Sequence, residues 1–266
     1  MKDKKTWDDL IGAITVICAK ILNKTSSEPH INSVQIRILA SMFWKSVDTL
    51  RAIQLLYSAN LPIQAQALIR ILFEIRIDMA LFLRLWAEDP VAAASRVLDT
   101  MMLQKIRQQR QSDFRGLDLV AGAPTPKQLL NDEKILIRKH GKDLAPRMQN
   151  NGFTDLSVEA RARQLGLSEL YNIVYRNLSR NIHNTDYMEH LGPRTSDPDR
   201  WKQYEDVRDH VALSTAIACT WRAAWFVDSL LGSELIDPLI QCWKDCVAFE
   251  HWAHWPELME GTIPSA

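Results

Sequence analysis

Aliphatic residues recur along this chain at intervals of three and four, and no segment sustains the two-residue alternation of a half-buried strand. That spacing restricts the fold to helices. Proline then punctuates the pattern, at Leu61-Pro62, Asp89-Pro90, Asp197-Pro198 and Asp237-Pro238. An aspartate followed by proline is a helix start with a mechanism. The carboxylate accepts backbone N–H groups that the first turn leaves unpaired, and proline lacks the one donor that would be wasted there. The spacing predicts helices near 6–24, 31–59, 62–87, 90–112, 126–140, 157–165, 168–190, 198–231 and 236–252. Only nine glycines occur, and four of them fall between Gly116 and Gly152. The expected fold is therefore all-α: a single helical bundle formed by residues 1–266, with a loop-rich insertion at about 113–155. No internal repeat and no low-complexity tract interrupts it.

Charge excludes several function classes. Thirty-two basic residues balance thirty-two acidic ones, so the chain as a whole is not drawn to nucleic acid or to anionic lipid, and any anion site must come from local clustering. The N-terminus starts with lysines and turns apolar, but Asp8 and Asp9 interrupt it and no small-residue cleavage pattern follows. The most apolar stretch, 68–86, carries Arg70, Glu74, Arg76, Asp78 and Arg84. Five charges argue against a membrane span. Four cysteines in a chain of this length do not make a disulfide framework. These features predict a cytoplasmic protein with no membrane partner.

Helix 62–87 is hydrophobic nearly all round, the mark of a central helix. Arg70, Glu74 and Asp78 share one stripe of it, at i, i+4 and i+8. They form either a structural ion pair, Arg70 with Glu74, or the border of a polar site facing the helix that carries residues 175–187.

That helix reads YRNLSRNIHNTDY from Tyr175 to Tyr187. At about 100° per residue, Arg176, Arg180, His183 and Tyr187 fall within about 60° of arc. Leu170, Tyr171, Val174, Leu178, Ile182, Thr185 and Met188 form the opposite, core-facing stripe. The Arg/His/Tyr row faces solvent, a cleft or a second subunit. Its composition is unusual for a wet face. It has arginine and no lysine, with histidine and three asparagines, Asn177, Asn181 and Asn184. Arginine forks onto phosphate oxygens, and histidine is the side chain whose proton moves near neutral pH. Metal-free cleavage of a phosphodiester needs those groups: one takes the 2′-hydroxyl proton, one donates to the leaving 5′-oxygen, and cations hold the phosphorane charge.

Arg176-Asn177, five further residues and His183 resemble the R-x(4–6)-H motif of the HEPN superfamily, whose members are all-α and include metal-independent endoribonucleases of toxin–antitoxin and antiviral defence systems. The resemblance implies that His183 is the catalytic histidine, Arg176 the phosphate-binding arginine and Asn177 its polar support. It also implies an RNA substrate, no cofactor, and an active site formed where two copies meet. A dimer follows from chemistry as well, because one chain offers one such histidine whereas cleavage needs an acid and a base. An antitoxin or regulatory protein is a further expected partner. Arg180 and Tyr187 share the row and are expected to support it. A second likeness pairs Arg70 and Glu74 with Tyr175, Ser179 and His183. It is similar to a bacterial helical family of unknown function that combines an R-x-x-x-E helix with a later S-x-x-x-H helix, and it implies that Arg70 and Glu74 belong to the same polar centre as His183.

Other constellations carry less. Cys242, Cys246, His251 and His254 would need four ligands to converge, but His251 lies about 140° from Cys246 on one helix, so core cysteines with exposed histidines are expected instead of zinc. Asp186, Glu189 and His190 are either metal ligands or a polar helix end, and the spacing suits both equally. Lys105, Arg107, Arg110 and Arg115 form a basic helix end, either a solvated face or a track for an RNA backbone. Trp221 and Trp225, one turn apart, are expected to pack in a core or interface.

Overall fold

The starts of the helices follow local chemistry. In the computed structural model, which describes residues 7–27, 33–111, 125–176, 197–231, 235, 237–238 and 241, four helices begin at a proline: α3 (Pro62–Glu88), α4 (Pro90–Gln111), α5 (Pro126–His140) and α9 (Pro198–Leu231). Asp89 accepts from the backbone N–H of Val91 and of Ala92, both at 3.0 Å. Asp197 accepts from the N–H of Arg200 at 3.0 Å. Thr125 and Gln128 exchange side-chain and backbone bonds in a capping box at the head of α5. Helix α1 (Trp7–Ser27) and α2 (Val34–Ser58) precede them. Asn60, at φ 59, makes the left-handed turn between α2 and α3. The short α6 (Leu144–Asn151) and α7 (Val158–Gln164) follow α5. Helix α8 opens as an α-turn at Ser168–Leu170 and widens into a π-helical run at Tyr171–Arg176.

The fold is all-α, and the described residues contain no strand. Helix bounds agree with the sequence pattern to within a few residues, with one exception. Helix α6 was not expected, because Gly141, Pro146 and Gly152 read as loop signals. Gly141 and Gly152 in fact terminate α5 and α6, both at φ 89. Pro146 sits in the first turn of α6, where its missing N–H costs nothing. Of the stretch 113–155, residues 113–124 lie outside the described residues. So do 177–190 of the expected helix 168–190, and all but a few positions of the expected helix 236–252.

Contacts gather the chain into two units, residues 1–80 with 162–266, and residues 81–161. In the first, α9 packs on α2 and α1, and α2 packs on α1. Their directions follow from three contacts at one end. Gln54 donates to Asp8 at 3.2 Å, Tyr57 donates to Asp209 at 3.4 Å, and the rings of Trp7 and His210 meet edge-on at 5.0 Å. At the other end the charge of Lys24 in α1 acts on Asp228 in α9, so α1 and α9 run parallel, with α2 antiparallel to both. Leu10, Ile14, Phe43, Leu50 and Ile53 fill this core. Residues 212–224 of α9 are buried without a break. In the second unit α4, α5 and α6 close on Leu103, Ile106, Leu129, Leu136, Ala145 and Met148. Asp155 accepts from Arg96 at 2.7 Å and pairs with Arg147 at 3.3 Å. Among the described residues, no helix is long and apolar enough to cross a membrane.

Candidate functional site

One helical turn of α3 separates Arg70 from Glu74, so both side chains leave the same face. The facing residue is Tyr175. Arg70 Nη2 donates to the Tyr175 hydroxyl at 2.8 Å, and that hydroxyl donates to Glu74 Oε1 at 3.0 Å. The phenol links the cation to the anion, and the direction of both hydrogen bonds is fixed, because a guanidinium can only donate and a carboxylate can only accept. Arg70 and Glu74 belong to one polar centre, as the sequence stripe suggested, and Tyr175 joins them. Burial pushes the Tyr175 phenol above the ordinary tyrosine range. The hydrogen bond from Arg70 opposes that shift, while the Glu74 charge adds to it. The phenol is therefore neutral at physiological pH, as the link requires. Arg70 Nε is buried with no hydrogen-bond partner among the described residues.

The aromatic side of the site is layered. The Arg70 guanidinium lies 4.4 Å from the centroid of the Tyr175 ring. Tyr175 stacks on Tyr171 at 5.0 Å, with an interplanar angle of 18°. Tyr171 in turn meets the Arg176 guanidinium at 5.6 Å. Phe73 of α3 packs at a tilt on Tyr175 from behind, at 6.2 Å. Leu170 and Val174 are buried and hold the segment down, whereas Arg176 is exposed.

The exposure of Arg176 agrees with its expected position opposite the core stripe. The π-helical register corrects the placement of Tyr171. Regular α-helical spacing assigns it to the core-facing stripe, yet it is half-buried and spends its ring faces on Tyr175 and Arg176. Asp78, third in the α3 stripe, is half-buried too. Asn177, Arg180, His183 and Tyr187 lie outside the described residues, as do Ser179, Asp186, Glu189, His190, Cys246, His251 and His254. What the sequence did not single out as a pair is Tyr171 with Tyr175. The only signal was their i, i+4 spacing.

Elsewhere, the basic helix end separates into parts. Lys105 and Arg107 are exposed, and Arg107 donates to the side chain of Asn150. Trp221 and Trp225 pack at 5.4 Å, as expected of a core pair. Cys18 and Cys219 are buried and form no disulfide with each other. Burial pushes the Cys219 thiol up, against the Arg76 charge and hydrogen bond that pull it down. Burial and the neighbouring Arg76 together bring Arg222 down to about 10. Among the described residues, no three His, Cys, Asp or Glu side chains converge as metal ligands.

Residues 36–199 match DUF5677, a family of unknown function, and the chain belongs to it. The matched region runs through Arg70, Glu74, Tyr175, Arg176 and the R-x(4–6)-H-like segment. No curated protein and no solved structure matches the chain.

Proposed function

We propose that this DUF5677 chain is a metal-independent endoribonuclease of the HEPN type, acting as a homodimer in toxin–antitoxin or antiviral defence. The observation that carries the reading is the placement of Arg176. It is exposed on a helical segment that Tyr175 fastens to Arg70 and Glu74. A phosphate-binding arginine needs that combination of an exposed head and a fixed base, since catalysis rewards cations already in place when charge develops.

In this reading His183 of one subunit takes the proton from the RNA 2′-hydroxyl, and the 2′-oxygen attacks the phosphorus. His183 of the second subunit gives a proton to the departing 5′-oxygen. The products are a 2′,3′-cyclic phosphate and a free 5′-hydroxyl, with no net oxidation and no metal. Arg176 holds the phosphorane charge, and Asn177, Arg180 and Tyr187 support the row. An antitoxin or regulatory protein would restrain the enzyme by covering that row.

Incubating purified protein with RNA in EDTA tests the proposal. Cleavage should survive chelation and fall by roughly 10²–10⁴-fold in His183→Ala, the usual worth of a general acid or base. Cleavage that requires a divalent ion sinks the reading. RNA that is bound but never cut makes the chain a non-catalytic binding module.

A further inference from the structure

Residues five apart do not meet on an α-helix. At about 100° per residue they stand about 140° apart. A π-helical turn closes over five residues instead, and Tyr171–Arg176 is such a turn. That register lets one ring meet two partners. Tyr171 stacks on Tyr175, four residues on, and lies under the guanidinium of Arg176, five residues on. The same ring in an α-helical register would keep Tyr175 and lose Arg176.

The stack is also anchored at its far end. Arg70 comes from α3, covers the Tyr175 ring at 4.4 Å and donates to its hydroxyl at 2.8 Å. An interaction that begins at α3 thus reaches an exposed arginine through two stacked phenols. A guanidinium lies over each ring, 4.4 Å from the Tyr175 centroid and 5.6 Å from that of Tyr171, and a cation over an aromatic face is held there by the ring quadrupole within about 6 Å.

We propose that Tyr171 is a positioning residue: the π-helical turn stacks the Arg176 guanidinium on its ring and aims that cation at a phosphate of single-stranded RNA. The assignment rests on the ribonuclease reading for its ligand, but the stack can be judged without RNA. Tyr171 itself touches neither the phosphate nor the reacting atoms. Its ring face does the work, so the hydroxyl is dispensable and phenylalanine should serve.

The test compares wild type, Tyr171→Phe, Tyr171→Leu, Arg176→Ala and the Tyr171→Leu/Arg176→Ala double variant. The probe is a short, unstructured 2′-O-methyl RNA that cannot be cut, titrated at several salt concentrations. Arg176→Ala should weaken binding roughly tenfold to a hundredfold, the loss of one charge-assisted hydrogen bond. It should also flatten the salt slope by about 0.7, one phosphate contact on a single strand. Tyr171→Leu should reproduce both changes, Tyr171→Phe should stay within about twofold of wild type, and the double variant should be no worse than Arg176→Ala. A Tyr171→Leu protein with wild-type salt slope overturns the proposal, and so do additive losses in the double variant. If Arg176→Ala binds as wild type does, the ribonuclease reading loses its phosphate anchor. The stack is then decided by NMR of the arginine side chains. The Arg176 Nε–H proton, assigned by its absence in Arg176→Lys, should be shifted upfield by the ring current, retained in Tyr171→Phe and lost in Tyr171→Leu. An unshifted proton in the wild type removes the stack itself.

Discussion

Tyr175 and Asp99 solve the same problem, a polar group half out of water, with different numbers of partners. Tyr175 accepts once and donates once. Asp99 Oδ2 accepts from Lys139 Nζ at 2.6 Å, from His140 Nε2 at 2.7 Å and from Ser95 Oγ at 3.4 Å. Burial pushes the Asp99 carboxyl up, but the hydrogen bonds and charges of Lys139 and His140 hold it below the ordinary range. A carboxyl lowered in the folded state contributes stability above its unfolded pKa of about 3.9, and that contribution is lost as pH falls through the lower, folded value. Asp99→Asn should therefore cost about 1 kcal/mol near neutral pH, where the amide still offers one acceptor oxygen but loses the charge that part-buried His140 and the more exposed Lys139 are paired with. The gap to wild type in urea denaturation should narrow as pH drops below about 4. A gap of constant size from pH 7 to pH 3 would show that Asp99 contributes through shape rather than charge. Legibility at this scale was partial. The stripe Arg70-Glu74 and the exposure of Arg176 could be read from spacing. Tyr175 stood beside that stripe only through a family likeness, and its hydroxyl as the link could not be read, because the link joins two helices distant in sequence; nor could the role of Tyr171, because a π-helical turn changes which residues are neighbours.

Elements were far more legible than contacts, since helix starts are written in local chemistry. Asp89-Pro90 carries the whole signal in two residues, and the observed bonds to Val91 and Ala92 are the ones that chemistry requires. Removing the carboxylate should cost about 1 kcal/mol. Asp89→Ala is expected to lower the urea midpoint by that free energy divided by the slope, with the slope itself unchanged, whereas Asp89→Asn should recover most of it, because the amide oxygen still caps. An alanine variant as stable as wild type would mean that Pro90 alone sets the start of α4. Helix α6 escaped for the opposite reason. Two glycines and a proline within twelve residues read as loop, but each occupies a terminus or first turn, where it favours a short helix. The residues that break long helices are the ones that bound short ones.

At the scale of the whole molecule, neutrality and packing say different things. With thirty-two charges of each sign, the protein has no net charge to draw an anion from a distance, so any anion site has to be local. Helix α3 is buried as its composition leads one to expect, and the first unit buries a second helix whose composition understates it. Helix α3 reads as central because it is rich in large apolar residues, whereas α9 between 212 and 224 reads ALSTAIACTWRAA and looks only moderately apolar. Those thirteen residues are nonetheless all buried. Alanine, serine and threonine let neighbouring helices approach closely, and interhelical distance is set by side-chain size at the contact. Hydrophobicity scales reward bulk, so they undervalue a helix buried by its smallness. Ala216 and Ala223 are fully buried, and close packing leaves no room to grow at such positions. Ala216→Leu should therefore destabilise by about 1–3 kcal/mol, even though it adds apolar area and gives up little helix propensity. Val207→Leu, at a position 63% exposed on the same helix, should stay within about 0.5 kcal/mol of wild type. Hydrogen exchange gives the complementary readout: amides 212–224 should exchange only through global unfolding, and Ala216→Leu should speed all of them by one common factor. An Ala216→Leu variant that is more stable than wild type would place free volume beside α9 and remove it from the centre of the core.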